Sequence, residues 1–317
     1  MPTSATPAGH DKTMRWTVHE TETGWSKDHR YNWSLKSAPA IEAYKGLLHC
    51  FAAGALEPYG LAWGYYNKET DTWYSKSFVY DVEKNPVHTS GPLAVQHAND
   101  FLYCVHHRAK DDRRLWWTRY NSEGPETGWS LHQPVKDHRS AEVRSTRPAA
   151  LTVYGGLLYC VHDGDGILRW ITHDTATKTW GTDLPIPGDI RAVRAPAIER
   201  FKDHLYCVHD RGGDDLYWIT YNSGTQEWSA DRRIEDAEGN PVRTSHAPAI
   251  ARHNDYLYCV YYVDTDSGRG ELWWTRYDDS DEGDDSWSVP ERIPDVRSYT
   301  GFDIAPYYGG LYCVHEV

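Results

Sequence analysis

Short apolar and aromatic runs recur along the chain, and each is followed by turn residues such as Gly, Asn and Asp. The most regular run is a hexapeptide with one cysteine: LLHCFA (47–52), LYCVHH (102–107), LYCVHD (158–163 and 205–210), LYCVYY (257–262) and LYCVHE (311–316). Runs of this length and composition are typical of β-strands. No window has the 3.6-residue period of a helix. The pattern therefore predicts an all-β protein.

The hexapeptide belongs to a longer repeat. Its six cysteines are 47 to 56 residues apart, which is a spacing typical of propeller blades. An APAI-like segment precedes each cysteine, a segment such as LWWTRYN (115–121) follows it, and in five units a Trp then comes, usually before Ser. Each unit thus contains four short strands, which predicts a four-stranded antiparallel meander.

The two ends of the chain carry complementary halves of a unit. The last unit contains only its first two strands, whereas residues 14–26 match the third and fourth strands. Five whole units and two halves predict a six-bladed β-propeller over 14–317, whose last blade combines 297–317 with 14–30. Pairing of the halves closes the ring and removes free sheet edges. Residues 1–13 are expected to form a disordered leader.

Aromatic and cysteine usage fit this ring. The chain has 15 Trp and 23 Tyr but only five Phe. Twelve Trp occupy two repeated positions per blade, and we expect them to pack between blades. Equivalent cysteines on a ring of about 10 Å radius lie too far apart for disulfides, which need Cα atoms within about 7 Å. We therefore expect reduced, buried cysteines, and no CxxC spacing indicates zinc.

The formal charge of −13 disfavours nucleic acid or an anionic membrane as partner. No stretch reaches membrane-spanning length, and the start lacks a signal-peptide pattern. We expect synthesis in the cytoplasm and leave release by a non-classical route open. The expected partners are glycans or other small polar ligands, and oligomerisation stays open.

Polar side chains recur on one face of the predicted disc. We name this the crown face: it carries the loops between second and third strands and the links between blades. Sixteen residues before each cysteine from the second unit on, the links carry His88, Arg144, Arg191, Arg243 and Arg297. Two residues after each cysteine from the second unit on stand His106, His162, His209, Tyr261 and His315. These are candidate ligand-binding residues, although pairing of arginines with Glu142, Asp189 and Asp295 is an alternative, structural explanation.

Metal and catalytic signals are weak. The histidines lie too far apart around the ring to meet at one metal ion. The loops at 264–268 and 278–285 have alternating acids that suit Ca²⁺, but no complete twelve-residue calcium loop is present. No cofactor is therefore predicted, with Ca²⁺ left open. GxSxG, HExxH, GxGxxG and phosphate-loop motifs are absent from the sequence, which favours binding over catalysis.

The repeat APAI, LYCVH, LWWTRYN and WS resembles the repeats of bacterial and fungal β-propeller lectins, the fucose-lectin and tectonin/tachylectin-like groups. The resemblance covers 14–317 and implies shallow sugar sites between adjacent blades, with an aromatic ring under the sugar. Trp116, Tyr217 and Trp273 are the candidate rings beside the repeated third-strand Trp. The chain departs from the six-bladed fucose lectins in lacking a repeated Arg–Glu–Trp set, and it lacks the Asp-box turn of sialidases.

The leading hypothesis is a multivalent carbohydrate-binding module, in which several weak sites on one disc gain avidity. A second hypothesis is an enzyme of lyase or hydrolase type whose axial pocket combines the four link arginines with Asp303, which replaces Ala only in the sixth unit. A third is a protein-interaction platform or the targeting part of a toxin system.

Overall fold

The structure is a computed structural model that describes residues 12–54, 59–265, 269–279, 287–299 and 301–317. Within these ranges the ordered elements are β-strands, arranged in six antiparallel sheets. None of the described residues forms a helix long and apolar enough to cross a membrane.

The strands follow the chain from blade to blade. The first three strands belong to blade 6: β1 (Lys12–Glu20), β2 (Gly24–Trp25) and β3 (His29–Leu35). Blade 1 contains β4 (Ala40–Tyr44), β5 (Leu47–Ala53), β6 (Leu61–Asn67) and β7 (Thr72–Phe78). Blade 2 contains β8 (Ala94–Ala98), β9 (Phe101–His107), β10 (Leu115–Asn121), β11 (Gly128–Trp129) and β12 (Gln133–Pro134).

The remaining blades repeat this order. Blade 3 contains β13 (Ala150–Tyr154), β14 (Leu157–Gly164), β15 (Ile167–Asp174), β16 (Thr179–Trp180) and β17 (Leu184–Pro185). Blade 4 contains β18 (Ala197–Phe201), β19 (His204–Asp210), β20 (Leu216–Asn222), β21 (Glu227–Trp228) and β22 (Arg232–Arg233). Blade 5 contains β23 (Ala249–His253), β24 (Tyr256–Val263), β25 (Gly270–Tyr277) and β26 (Glu291–Ser298). Blade 6 is completed by β27 (Phe302–Tyr307) and β28 (Gly310–Glu316).

The first strands of the blades form a closed inner ring. Each of β4, β8, β13, β18, β23 and β27 contacts the first strand of both neighbouring blades, and β27 contacts β4. The protein is therefore a six-bladed β-propeller, and the predicted fold is confirmed.

Blade 6 is built from both halves of the predicted split unit. Strand β1 pairs antiparallel with β28, from Met14 opposite Glu316 to His19 opposite Leu311. Reciprocal backbone hydrogen bonds of 2.8 and 2.9 Å between Thr13 and Val317 extend the pairing. The strand begins at Lys12, so two residues assigned to the leader are part of the blade. Residues 1–11 lie outside the described residues.

Tryptophans join neighbouring blades edge to face. At five interfaces the third-strand Trp of one blade meets the fourth-strand Trp of the next at 5.7 to 6.5 Å between ring centroids: Trp63–Trp129, Trp117–Trp180, Trp170–Trp228, Trp218–Trp287 and Trp274–Trp25. At the sixth interface Tyr66 lies 5.1 Å from Trp16 and 5.3 Å from Trp73. This geometry is favourable for aromatic pairs, and the predicted packing role is confirmed.

All six cysteines are buried and free, as the sequence predicts. Each packs toward the preceding blade; Cys160, for example, belongs to a cluster with Val105 and Trp117 of blade 2. Burial raises the pKa of each thiol far above its ordinary value. The cysteines therefore act as small hydrophobic side chains.

The outer strand is interrupted after the Trp–Ser pair in blades 2, 4, 5 and 6 and after the Trp–Gly pair in blade 3. In blade 2 the Thr118 hydroxyl donates to the Ser130 carbonyl oxygen at 3.0 Å, and the Arg119 N–H donates to the Ser130 hydroxyl at 3.0 Å. Equivalent bonds join Thr17 to Ser26 and Thr220 to Ser229. These bonds replace ladder contacts, which explains why Ser follows Trp. We name the third residue after this Trp the break position.

Ring closure depends on a glycine at the blade 6–blade 1 junction. A Cβ on Gly301 would lie 2.5 Å from the Ala38 Cα, which is a backbone atom that cannot rotate away. Gly91, one position earlier in the blade 2 repeat, has nothing within 4 Å of its virtual Cβ.

We predict that Gly301→Ala destabilises the fold by about 1–3 kcal/mol, the usual cost of overpacking a tight contact. Gly91→Ala is the matched control and should leave the unfolding free energy within about 0.5 kcal/mol of wild type. Urea unfolding followed by tryptophan fluorescence measures both. Equal stability of the two variants would contradict a tight contact at this junction.

Candidate functional site

The histidine after each CV pair lies buried near the crown end of the second strand. Antiparallel pairing sets it opposite the variable third-strand residue, as for His162 and Arg169. Like the cysteine two positions earlier, it points toward the preceding blade. The recurrent imidazole thus lies in the interface between two blades, beneath the crown surface.

In blades 3, 4 and 6 this imidazole belongs to a His–Asp–Arg triad. His162 Nε2 lies 3.1 Å from Asp183 Oδ1, and Arg169 Nε lies 2.9 Å from Asp183 Oδ2. Blade 6 has the same arrangement in His315–Asp28–Arg15, with nitrogen–oxygen distances of 2.8 and 3.1 Å. In blade 4 His209 and Asp231 are equivalent, but the arginine is Arg211 of the loop after β19, at distances of 3.0 and 3.2 Å. Three of the six blades therefore carry one polar unit at an equivalent place.

Exposure increases from the histidine to the arginine. In the blade 3 triad the side-chain exposure is 0% for His162, 19% for Asp183 and 30% for Arg169. Burial alone would raise the pKa of Asp183, but His162 and Arg169 bring that pKa below its ordinary value. The carboxylate is therefore charged at neutral pH, and its guanidinium partner reaches solvent. Such a pair can accept and donate hydrogen bonds at once.

The triad acids were not among the residues singled out from the sequence. The three acids occupy the break position, three residues after the fourth-strand Trp of their own blade: Asp28, Asp183 and Asp231. Their signal is the recurring spacing Trp-x-x-Asp, which only three blades share. This spacing matters only because the outer strand is interrupted there, so that the aspartate side chain is directed toward the histidine.

Blade 2 has a histidine at the break position. His106 and His132 stack with ring centroids 5.0 Å apart and planes 5° apart. Trp116 lies 4.9 Å from His132, and the guanidinium of Arg108 lies 4.9 Å from the Trp116 ring. This pocket is thus imidazole-rich where the triad pockets are acidic.

Blades 5 and 1 differ from both types. In blade 5 the predicted site residue Tyr261 is buried, and Glu271 binds Arg292 and Arg297 at 3.0 Å each while accepting from the partly exposed Trp273 at 3.3 Å. In blade 1 the equivalent second- and third-strand positions are alanines. The six blades are therefore unequal in the chemistry that they present.

The link arginines lie on the crown face, opposite the start of the third strand of their own blade. Arg243 binds Asp215 at 2.8 Å, Arg144 lies 3.7 Å from Glu142, and the exposed Arg191 lies opposite Ile167. The predicted pairing is thus seen with Glu142, whereas Arg243 and Arg297 pair across to the third strand. His88 lies opposite Gly60 in the same kind of bridge.

A cleft of about 440 Å³ opens on the crown face of blade 4. It is lined by Arg211 of the triad, Asp214, Asp215, Tyr217 and Arg243. The Arg211 guanidinium lies 5.5 Å from the centroid of the Tyr217 ring, and that ring is half-buried. Blade 4 therefore combines a triad, an aromatic ring and a second arginine.

An axial cavity of about 590 Å³ lies inside the inner ring. Asp303 is in its wall, as proposed from the sequence, together with Glu42 and Glu199. The hypothesis that the four link arginines join Asp303 there is wrong, since Arg147 and Arg194 line the cavity instead. The reason is that the cavity wall begins three residues later in the repeat, after each link arginine has crossed to the third strand.

The axial carboxyl groups bind backbone of the next blade. Asp303 Oδ2 accepts from the Ile41 N–H at 2.8 Å, and Glu42 Oε1 accepts from the His97 N–H at 3.2 Å. Burial raises the pKa of Asp303 and of Glu199 to about 7 and that of Glu42 well above its ordinary value. Protonated acids are therefore present in this cavity at neutral pH.

No group of three or more potential ligands in the described ranges has the arrangement of a metal site. The two acidic loops in which Ca²⁺ was left open lie largely outside the described residues. These residues therefore give no support for a metal cofactor.

Comparisons with known proteins bear on the fold. A lectin of Aleuria aurantia, solved with a fucose–GlcNAc disaccharide, is similar over 88% of both chains at a TM-score of 0.62 and 11% identity. AofleA of Arthrobotrys oligospora is similar over 99% of this chain and 85% of its own, at a TM-score of 0.61 and 11% identity. A sialidase of Trypanosoma rangeli is similar at a TM-score of 0.55 and 11% identity; 94% of this chain matches 56% of the sialidase.

No family model matches the sequence, and no curated protein matches it. At 11% identity the structural similarities establish the fold alone. The class that fold and neighbours define is a six-bladed β-propeller of the kind seen in both a lectin and a sialidase.

We predict that Asp183→Ala lowers the unfolding free energy by about 1–3 kcal/mol, because the variant leaves the buried His162 ring nitrogen without its partner. Glu123→Ala removes an exposed ion pair with Lys45 and should cost about 0.5 kcal/mol or less. Chemical denaturation at pH 7 compares the two variants. A smaller loss for Asp183→Ala than for Glu123→Ala would show that the triad does not hold the blade interface.

Proposed function

We propose that the protein is a multivalent carbohydrate-binding module with shallow sites between adjacent blades on the crown face. The observation that carries this proposal is the His–Asp–Arg triad, which recurs in blades 3, 4 and 6 with the histidine and the aspartate at equivalent positions. The lectin neighbour with the same fold supports it.

The triad suits sugar hydroxyl groups. A hydroxyl both donates and accepts hydrogen bonds, so a site needs an acceptor and a donor side by side. The acceptors in blade 4 are Asp214 and Asp215 of the cleft, because both carboxylate oxygens of Asp231 are buried. The half-exposed Arg211 keeps N–H groups directed to solvent beyond the one that binds the Asp231 carboxylate. The buried His209 fixes the carboxylate from behind, which reduces the side-chain entropy lost on binding.

Blade 4 is proposed as the principal site. Its cleft places the face of Tyr217 beside Arg211 and Arg243, so that the apolar face of a sugar ring can stack on the tyrosine. Blades 3 and 6 carry arginine at the position of Tyr217 and would bind by hydrogen bonds alone. We expect these two sites to be weaker.

Repetition compensates for weak sites. Rigid presentation of two or more sites to a surface dense in ligand raises the overall affinity by a factor of about 10²–10⁴. The ring holds the triads at fixed angles because neighbouring blades are locked by tryptophan pairs. The single chain is therefore sufficient for cross-linking glycan-coated surfaces.

We predict sugar-inhibitable binding on a glycan array, and agglutination of glycan-coated particles by the purified chain. The variant Arg15→Ala, Arg169→Ala, Arg211→Ala should abolish agglutination, whereas Arg211→Ala alone should remove the strongest site measured by titration calorimetry. Arg113→Ala, which changes an exposed crown arginine outside the triads, is the matched control. Undiminished sugar-inhibitable agglutination by the triple variant would refute the triads as binding sites.

A hydrolase acting in the axial cavity is the second candidate, favoured by the raised pKa of Asp303 and Glu199. A protonated carboxylic acid at neutral pH is the general acid that glycoside hydrolysis requires, and a second carboxyl group completes the pair. The sialidase neighbour shares the fold and supports this candidate.

Release of 4-nitrophenol from a panel of nitrophenyl glycosides tests this second candidate. Turnover that Asp303→Asn and Glu199→Gln each reduce at least about a hundredfold would establish it, since general acid–base groups contribute about 10²–10⁴ in rate. Turnover unchanged by both substitutions, or none across the panel at high protein concentration, would leave the axial acids with the structural role of binding inner-strand N–H groups.

A further inference from the structure

The crown pocket of blade 2 differs from the triad pockets at the break position. In blades 3, 4 and 6 the second-strand histidine faces a carboxylate within 3.2 Å. In blade 2 the equivalent His106 faces the ring of His132. At the break position, blade 2 thus has an imidazole, which is neutral or positive, where the triad blades have a negative carboxylate.

Arginines surround this pair of imidazoles. The guanidinium groups of Arg108 and Arg114 lie 4.9 and 5.2 Å from the Trp116 ring, which itself contacts His132. Asp112 is bound by Arg114 at 2.8 Å and by the Trp116 Nε1–H at 3.0 Å, so its charge is already neutralised. Arg108 is exposed and has no ion-pair partner in the described part of the chain.

Two further histidines lie near the blade 2 pocket, one from the blade 1 link and one from the second strand of blade 2. His88 of the blade 1 link lies near His132 and adds to its electrostatic environment, and His107 does the same for His106. The Asp81 carboxylate accepts the N–H groups of Asn85 at 2.9 Å and His132 at 3.5 Å. A third acid, Glu142, binds Arg114 at 3.3 Å. Among the described residues, Asp81, Asp112 and Glu142 are thus each held by a donor, whereas Arg108 has no ion-pair partner.

Ring nitrogens in the pocket lack partners. His106 Nδ1 lies 3.2 Å from the His107 carbonyl oxygen, and His106 is completely buried. Its Nε2, the Nε2 of His132 and the Nδ1 of His88 are buried without a hydrogen-bond partner among the described residues. In blades 3 and 6 the equivalent Nε2 hydrogen-bonds a carboxylate, and in blade 4 it lies 3.2 Å from one. An anionic group on a ligand would supply the interaction that this chain omits in blade 2.

We propose that the blade 2 pocket binds an acidic sugar, one that carries a carboxylate or a sulfate group, whereas the triad pockets bind neutral sugars. This inference rests on the proposed carbohydrate-binding function and assigns a ligand class to one of its sites. Arg108 supplies positive charge and hydrogen-bond donors, and His132 supplies a further donor once it is protonated.

Binding at this site is coupled to proton uptake. Burial, followed by the charges of neighbouring groups, lowers the pKa of His106 to about 3 and of His132 to about 4. A bound anion favours the protonated imidazole, so it raises both values above those of the free pocket. The complex therefore binds more protons than the free protein, and affinity for the anion increases as pH falls from 7 toward 5.

The test is titration calorimetry of the full chain with methyl β-D-glucuronide and with its uncharged counterpart, methyl β-D-glucoside. Glucose 6-sulfate forms a second arm that separates sulfate from carboxylate recognition. We expect one acidic-sugar site per chain, with an affinity that rises on acidification and that falls at least about tenfold in Arg108→Ala, as loss of a charge-assisted contact predicts.

Exchange at the break position provides matched variants. His132→Asp recreates the triad pattern and should eliminate glucuronide binding, because like charges would meet in the pocket. His132→Asn has the size of the aspartate variant without its charge and should retain binding through Arg108, with a shallower pH dependence. A melting temperature equal to that of wild type, followed by circular dichroism, shows that each variant is folded before its affinity is interpreted.

The outcomes separate this inference from the proposed function. Neutral-sugar binding that depends on Arg211, together with glucuronide binding that is absent or unaffected by His132→Asp, would overturn the blade 2 assignment and leave the lectin proposal standing. Glucuronide binding that depends on His132, without any neutral-sugar binding, would support the acidic site and overturn the triads as sugar sites.

Discussion

Pairing between β1 and β28 is the interaction on which the rest of this structure depends. A propeller blade buries its faces only between two neighbours, so an open ring would expose two complete sheet faces and an unpaired edge. Here the last blade draws its inner strands from one end of the chain and its outer strands from the other. Closure therefore couples the stability of all six blades to one set of backbone hydrogen bonds, and it makes the crown a rigid surface.

Within that frame, the residues that pack the blades together differ from the polar residues of the crown. The tryptophan pairs, the tyrosines between them and the buried cysteines repeat with little variation, and they hold the blades together. Variation concentrates at the crown, where the break position holds aspartate in three blades and histidine in one. A similar division applies on the axis, where Glu42 and Asp303 bind the free N–H groups of the next inner strand and also shape a cavity.

The sequence predicted the architecture because the cysteine hexapeptide and the paired tryptophans mark every blade, and the split unit marks the closure. It assigned His162 and its equivalents to ligand binding at the crown face and predicted neither their burial nor their partners. Asp183 and its equivalents were missed because their role arises from an interrupted strand, a conformation that has no strong local signature. The second hypothesis placed the link arginines at the axis because a count along the repeat does not reveal where the chain turns inward, which happens further along the repeat.

The Thr–Ser hydrogen bonds at the outer-strand break have a consequence for diversification. They fix the backbone there without help from the neighbouring side chain. The side chain at the break position can thus be substituted in one blade without changing the fold of the other five. The crown chemistry of a chain of this design can therefore differ from blade to blade through single substitutions.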